Sequence, residues 1–184
     1  DSDPKVLENR DRIKSSVDRC VSVIQSLLNF TRMKEPVKVP LPVNKVIAEA
    51  LDEEKVPPGL DLQRHLPSEQ IVVNGDRELL LVCFGNIIRN AVEAMGGEGV
   101  LAITLEQSDG WVEASFTDTG PGISPENMHV ITEPLFSTKA SGAGFGLAVA
   151  NKVAEKHGGG LKFNSRVGEG TTVTVYLPLS SGEE

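Results

Sequence analysis

Apolar residues recur every three or four positions through the first thirty residues of the chain, with charged residues between them. The apolar positions are Ile13, Val17, Cys20, Val21, Ile24, Leu27 and Leu28. This spacing predicts a long amphipathic helix from about Pro4 to Met33, of the kind that packs in a bundle or coiled coil. The next stretch, Lys34 to Pro42, carries three prolines, which prevent a helix from continuing. We therefore predict a helical segment at 1–34, an extended linker at 35–42 and a domain boundary between them and the rest.

Helical and strand patterns alternate over residues 43–180, and a short tail, 181–184, follows. Helices are predicted over Val43–Glu53, Arg77–Met95 and Gly144–His157. Strands are predicted near Asp61–His65, Gln70–Val73, Val100–Glu106, Trp111–Thr117, Gly160–Asn164 and Thr171–Leu177. The pair Asp109-Gly110 is typical of the turn in a hairpin. This order indicates an α/β fold, in which a mixed sheet is covered by helices on one face to give a two-layer sandwich.

The stretch from Asp118 to Gly142 shows neither the period of a helix nor the alternation of a strand. It is too long for an ordinary loop in a compact domain, and loops of this length are usually functional. We predict that it forms a lid over a binding site.

Composition narrows the choice of partners. The chain has 18 basic and 26 acidic residues, a net charge of −8, so we expect no broad basic surface for nucleic acid or an anionic membrane. We find neither a run of about 18 apolar residues that would span a bilayer nor a signal peptide. We expect a cytoplasmic location, with Cys20 and Cys83 as buried free thiols. Because the chain begins with Asp1 rather than methionine, we expect it to be part of a longer protein, whose own anchoring in a membrane stays open.

Four short stretches after residue 85 carry the candidate chemistry, and the first lies on the predicted long helix. Asn86, Asn90 and Glu93 are spaced by four and three residues, so they share one face of that helix. Asparagine is a mediocre helix former, and its carboxamide oxygen suits a hard cation such as Mg²⁺. The alternative is an ordinary polar face of a surface helix.

The second and third stretches begin and close the predicted lid. Asp118 follows a strand and can accept a hydrogen bond from an exocyclic amine such as that of adenine, while Gly120 and Gly122 let the backbone approach a flat ring. Phe136 is expected to hold the lid to the body of the domain, and Lys139 can meet phosphate oxygens. The alternatives are a tight turn, a core anchor and a solvated lysine.

The fourth stretch opens the last helix with alternate glycines, Gly142, Gly144 and Gly146. Such glycines expose backbone N–H groups at a helix N-terminus, which favours phosphate binding. A Rossmann site is disfavoured because these glycines follow a lid rather than a strand, and a Walker A loop is excluded because the sequence contains no GxxxxGK[ST].

The order of these stretches resembles the Bergerat ATP-binding fold of the gyrase, Hsp90, histidine-kinase and MutL superfamily. Over roughly Val43 to Leu179, the segments NIIRNAVEAM, DTGPGI, EPLFSTKASGAGFGLAVANKVAEKHGG and GEGTTVTVYLP are similar to the catalytic domain of sensor histidine kinases. The segments LLNFTRMKEP and EPLFSTK are similar to those of the nitrogen-regulation type of sensor kinase, and residues 1–34 resemble the second dimerisation helix.

The resemblance implies ATP and Mg²⁺ as cofactors and a role for each matched residue. Asn90 is the implied Mg²⁺ ligand, Asn86 supports it, and Glu93 contacts ribose or phosphate. Asp118 is the implied adenine-binding aspartate, and Lys139 is implied to offset charge on the γ-phosphoryl group. The other matched positions implied to form the nucleotide site are Gly120, Gly122, Phe136, Thr138, Gly142, Gly144, Phe145, Gly146, Leu147 and Thr171.

Asn86 separates two kinds of chemistry within the superfamily. The gyrase-like and Hsp90-like ATPases place a glutamate at this position to activate water, and an asparagine cannot act as that base. The resemblance therefore implies phosphoryl transfer to a histidine, followed by relay to an aspartate of a response regulator, in a protein that forms a homodimer through its helical region.

None of the three histidines lies in the context of a phosphoacceptor. His65 is on a predicted strand, His129 is in the predicted lid, and His157 is in the last turn of a helix, where a cation suits the helix dipole. We therefore expect this chain to bind ATP or ADP without phosphorylating itself. The alternatives are a stand-alone ATPase or an anti-sigma-type serine kinase of the same fold, and a non-catalytic pseudokinase or interaction module.

Overall fold

A computed structural model describes residues 33–137 and 144–180, together with positions 9, 10, 12–14, 16, 17, 20, 21, 24, 27, 28 and 31. The strands are β1 (Val39–Pro42), β2 (Leu60–His65), β3 (Val72–Gly75), β4 (Gly99–Ser108), β5 (Trp111–Asp118), β6 (Gly160–Arg166) and β7 (Gly170–Pro178). Beyond residue 33, the helices are α1 (Val43–Glu54), α2 (Arg77–Ala94) and α3 (Gly146–Lys156).

The main sheet has five strands in the order β2-β4-β5-β7-β6. Strands β2 and β4 run parallel and the other neighbours run antiparallel, so the sheet is mixed. Every second residue along its central strands is buried, because one face of the sheet packs against the helices; examples are Leu101, Ile103 and Leu105 of β4. This arrangement confirms the predicted α/β class.

The core lies between this sheet face and helices α1, α2 and α3. Phe84 of α2 meets Phe116 of β5 with ring centroids 5.7 Å apart. The thiol of Cys83 donates to the carbonyl oxygen of Ala150 on α3 at 3.5 Å, and burial raises the pKa of Cys83 to about 12. Truncating such a phenylalanine to alanine typically costs about 3–5 kcal/mol of stability, so α2 is firmly anchored.

The hairpin between β4 and β5 confirms the predicted turn at Asp109-Gly110. Both residues have positive φ, 47° and 83°, as a type I′ turn requires. Strand β3 begins two residues later than the predicted start at Gln70. The end of the predicted linker forms β1, which pairs antiparallel with β3, with Pro40 opposite Asn74. Prolines are tolerated in this two-stranded pair because it is not the interior of a larger sheet.

The segment before β1 is also tied to the domain. The N–H of Val37 donates to Asp76 Oδ2 at 3.0 Å, and Lys156 pairs with Glu35. Asp76 is the N-cap of α2 and its other oxygen accepts from the N–H of Leu79. The chain is therefore joined to the start of α2 before the first strand begins.

The described positions between residues 9 and 31 are helical, and their apolar residues are exposed. Cys20, predicted to be buried, is exposed because it lies on this uncovered stripe; Cys83 is buried as predicted. Among the described residues, no helix is both long enough and apolar enough to cross a membrane.

His157 is neutral, although its position at a helix end suggested a cation. Its side chain is 2 % exposed, its Nδ1 donates to the carbonyl oxygen of Val153 at 2.7 Å, and its Nε2 accepts from the N–H of Asp76 at 2.9 Å. Burial lowers the pKa of His157 and the nearby Lys38 acts in the same direction. The ring is therefore a neutral link between α3 and the cap of α2.

We expect the stability of the chain to depend on pH through His157. Because the pKa of His157 is lowered on folding, the unfolded chain takes up the proton first, so stability is retained above the ordinary value of about 6.5 and is lost as the pH falls below it. Urea unfolding between pH 7.5 and 5.5 should show this slope, at most about 1.4 kcal/mol per pH unit for one group. His157→Gln is expected to flatten it, because the variant has no imidazole at this position to take up the proton. An equal slope in His157→Gln would contradict this assignment.

Candidate functional site

A cavity of about 570 Å³ lies between α2, the C-terminal end of β5, the start of β7 and the loop after β5. This volume is in the usual range for a small-molecule site. Among the predicted site residues, those that line it are Asn90, Glu93, Asp118, Gly122, Phe136, Leu147 and Thr171. Residues as far apart in sequence as Asn90 and Thr171 therefore line one cavity.

Asp118 is held at the base of the cavity with only 6 % of its side chain exposed. Its Oδ1 accepts from the N–H of Gly120 at 2.8 Å and from the N–H of Thr171 at 3.3 Å. Hydrogen bonds to a carboxylate are charge-assisted and offset part of the cost of burial. The hydrogen bond from the N–H of Gly120 requires glycine, since a Cβ at residue 120 would lie 2.8 Å from Asp118 Oδ1. The carboxylate is thus fixed before any ligand arrives.

Gly122 joins the start of the loop to the end of β6. Its φ is +73°, and a Cβ there would lie 2.1 Å from the carbonyl oxygen of Arg166. Both the conformation and the space exclude any other residue without movement of the backbone.

The hydroxyl of Thr171 is hydrogen-bonded to that of Ser165, a residue that sequence reasoning did not identify. The Oγ of Ser165 accepts from the N–H of Ile123 at 2.8 Å and lies 2.8 Å from Oγ1 of Thr171. Ser165 lies outside the matched motifs, and only the register of β6 and β7, with Ser165 opposite Thr171, reveals its place.

The far end of the cavity brings α2 against the first turn of α3. A Cβ at Gly146 would lie 2.9 Å from Asn90 Nδ2 and 3.3 Å from Asn86 Oδ1. Asn86 donates through Nδ2 to the carbonyl oxygen of Val82 at 2.8 Å. Asn86 is therefore not part of the cavity lining but stands beside Asn90, as the spacing predicted.

The first turn of α3 carries partial positive charge. It contains no acidic residue, and within the described part of the chain no side chain caps it. The N-terminus of α2, in contrast, is capped by Asp76. A helix N-terminus of this kind attracts phosphate groups, and amide oxygens such as that of Asn90 are suitable ligands for Mg²⁺. The residues present at this end therefore fit a magnesium–phosphate group.

Phe136 lines the cavity from the loop side, half-buried. Gly144 packs on the same part of the loop, since a Cβ there would lie 2.7 Å from the carbonyl oxygen of Phe136. Phe145 is placed differently: it is 3 % exposed, belongs to the core and does not line the cavity. Thr138, Lys139 and Gly142 lie outside the described residues.

Apolar residues supply much of the wall that motif reasoning did not identify. They come from α2, the inner face of the sheet and the loop, and include Ile87, Ala91, Phe116, Ile123, Ile131, Val167 and Val173. In the sequence they are indistinguishable from other core residues, because the same period predicts both. They form an apolar wall beside the buried carboxylate of Asp118.

Comparison with known proteins gives a consistent result. The profile of the family described as histidine kinase-, DNA gyrase B-, and HSP90-like ATPase matches residues 75–181. The chain is 34% identical over 183 residues to the signal transduction histidine-protein kinase AtoS of Escherichia coli K12, covering 97% of this chain and 30% of AtoS. It is 38% identical over 108 residues to the sensor histidine kinase ZraS of the same organism, covering 59% of this chain and 23% of ZraS.

Among solved structures, a mycobacterial sensor histidine kinase, MprB, matches with a TM-score of 0.71 and 29% identity, covering 78% of this chain and 98% of that one. The matched segments cover less than a third of the length of AtoS and of ZraS.

Substituting Gly122 tests whether the cavity wall depends on the contact between the loop and β6. Gly122→Ala introduces both an unfavourable positive φ and a clash with Arg166, whereas Gly168→Ala introduces a positive φ (+82°) where nothing lies within 4 Å. The positive φ alone costs about 1–2 kcal/mol. We expect urea unfolding to show a clearly larger loss of stability for Gly122→Ala than for Gly168→Ala, and equal losses would contradict the contact.

Proposed function

The chain belongs to the histidine kinase-, DNA gyrase B- and HSP90-like ATPase family, and from this premise we propose that it is the ATP-binding catalytic part of a sensor histidine kinase. Its role is to present the γ-phosphoryl group of ATP to a histidine outside this chain, for relay to a response-regulator aspartate in the cytoplasm. The observation that carries the proposal is one cavity lined both by a buried carboxylate, Asp118, and by Asn90, which lies beside the N-terminus of α3.

The end of the cavity at Asp118 is suited to adenine. A carboxylate is an acceptor, so it favours the exocyclic amine of adenine over a carbonyl group. The apolar walls from Ile87 and Val173 suit the faces of a flat ring, and Gly122 leaves the loop backbone close to it. We assign base recognition to this end.

The end at Asn90 is suited to the phosphates with Mg²⁺. Asn90 would hold the ion and Glu93, which also lines the cavity, is placed to contact ribose or phosphate. When bound, Mg²⁺ offsets the charge on the phosphate oxygens. Asn86 has no carboxylate with which to activate water, and this supports transfer to a protein side chain over hydrolysis.

The N-terminal segment supports the same assignment. Its described apolar side chains are 42–65 % exposed from Ile13 to Leu28, a stripe that a helical partner would cover. We propose that residues 1–34 are the second helix of a dimerisation region, that 35–42 connect it to a catalytic domain at 43–180, and that the complete protein is a homodimer. The positions of two histidines support an acceptor elsewhere: His157 is buried and hydrogen-bonded through both ring nitrogens, and His65 is on an edge strand.

Nucleotide binding is the direct test of the proposal. Calorimetry with ADP and Mg²⁺ should show binding to the 184-residue chain, and ADP at a hundred times its Kd should add about 2.7 kcal/mol to the free energy of unfolding. Asp118→Asn is expected to lose this binding, because the amide presents a donor towards the amine of adenine. Asp109→Asn, in the exposed hairpin turn, is the control.

No binding by the unsubstituted chain would refute the proposed function. Unchanged affinity in Asp118→Asn would refute the assignment of the base end alone.

Gly146→Ala separates binding from folding at the phosphate end. Alanine is the better helix former by about 1 kcal/mol, but its Cβ would displace the carboxamide of Asn90. We expect the variant to stay folded and to bind ADP·Mg²⁺ several-fold more weakly. Gly85→Ala makes a similar contact, 2.9 Å from Glu54 Oε1, on α2 away from the cavity lining, and should keep its affinity. Equal affinities in the two variants would contradict the role of Asn90.

A further inference from the structure

Ser165 lies where the end of β6, the start of β7 and the loop after β5 meet. Its Oγ makes three short contacts: with the N–H of Ile123 at 2.8 Å, with the carbonyl oxygen of Gly170 at 2.9 Å and with Oγ1 of Thr171 at 2.8 Å. Ser165 does not line the cavity, but both Ile123 and Thr171 do. It is therefore one residue away from any bound ligand.

The directions of these hydrogen bonds follow from counting protons. A serine hydroxyl has one proton to donate and two lone pairs to accept with. The carbonyl of Gly170 can only accept, so it takes the proton of Ser165, and the N–H of Ile123 can only donate, so it takes one lone pair. The third contact must then use the other lone pair, which makes the hydroxyl of Thr171 the donor in the pair.

This count decides what Thr171 presents to the cavity. With its only proton given to Ser165, the hydroxyl of Thr171 can interact with a ligand only as an acceptor. The carboxylate of Asp118, whose Oδ1 is 3.3 Å from the N–H of Thr171, is likewise an acceptor. Asp118 and the hydroxyl of Thr171 therefore both present hydrogen-bond acceptors to the cavity.

We propose that Ser165 is a positioning residue for base selection, which acts by holding the hydroxyl proton of Thr171 away from the ligand. This inference rests on the proposed nucleotide site and adds to it the origin of its preference for a 6-amino over a 6-oxo purine. At position 6 of the purine ring, adenine presents an amine and hypoxanthine presents a carbonyl oxygen. Two acceptors satisfy the amine and repel the carbonyl, whereas a threonine free to rotate would donate to the carbonyl and weaken the discrimination.

The test compares the affinities of ADP and inosine diphosphate, with Mg²⁺, for the full 184-residue chain by calorimetry. The unsubstituted chain should prefer ADP. Ser165→Ala should lower the ADP-to-IDP affinity ratio by about tenfold, the worth of one hydrogen bond. Ser165→Thr keeps the hydroxyl and should keep the affinity ratio of the unsubstituted chain. Ser165→Cys, with a weakly bonding thiol of similar size, should lower it, so the test does not depend on the alanine variant folding.

A matched control lies on the same sheet. Ser115 of β5 and Thr174 of β7 form a hydroxyl pair of the same length, 2.8 Å, outside the cavity lining. Ser115→Ala should leave the ratio unchanged even where it lowers the Tm. Because Ser165 is proposed to act through Thr171, adding Ser165→Ala to Thr171→Val should change the ratio no further.

The outcomes separate this inference from the proposed function. If Ser165→Ala weakens ADP and IDP by the same factor, Ser165 supports the fold and does not select the base. If the unsubstituted chain binds both nucleotides equally, the inference fails while nucleotide binding stands. If it binds neither, the proposed function fails and this inference fails with it.

Discussion

The packing of α2 against both the sheet and α3 is the constraint on which the cavity depends. One side of α2 meets the sheet through Phe84. Another side meets α3 at Gly146, where the absence of a Cβ leaves room for the carboxamides of Asn86 and Asn90. Asn90 lies on the helix that makes both contacts. A change that separated α2 from the sheet would therefore also separate Asn90 from Asp118, so core stability and ligand geometry are parts of one interface.

The other end of the cavity is fixed by strand register rather than by helix packing. Asp118 lies opposite Thr171 across β5 and β7, and Thr171 lies opposite Ser165 across β7 and β6. A slip of one residue would turn each of these side chains to the other face of the sheet. The apolar alternation along β5 and β7 prevents the slip, so residues with no contact to a ligand hold its acceptors in place.

The sequence predicted the parts of the fold that are encoded locally. Asp109-Gly110 identified a hairpin because positive φ at both positions is a property of those two residues, and Asn86, Asn90 and Glu93 shared a helix face because helix geometry alone places them there. Strand β1 was missed because Pro40 and Pro42 read as linker when the partner strand, some thirty residues later, is not considered. His157 read as a helix-end cation because its hydrogen bond from Asp76 spans 81 residues, and Phe145 read as a ligand contact although its side chain enters the core. For β1 and His157 the deciding partner is remote in sequence.

Strand β1 has a mechanical consequence. It runs directly into α1, and the peptide just before it is bonded to Asp76, the residue from which α2 starts. The route from the N-terminal helical segment to Asn90 therefore passes through a strand pair, a helix cap and the axis of one helix. A rotation of the chain before Val37 would therefore be transmitted to Asn90 through hydrogen-bonded secondary structure. A flexible linker at this place would absorb the same rotation.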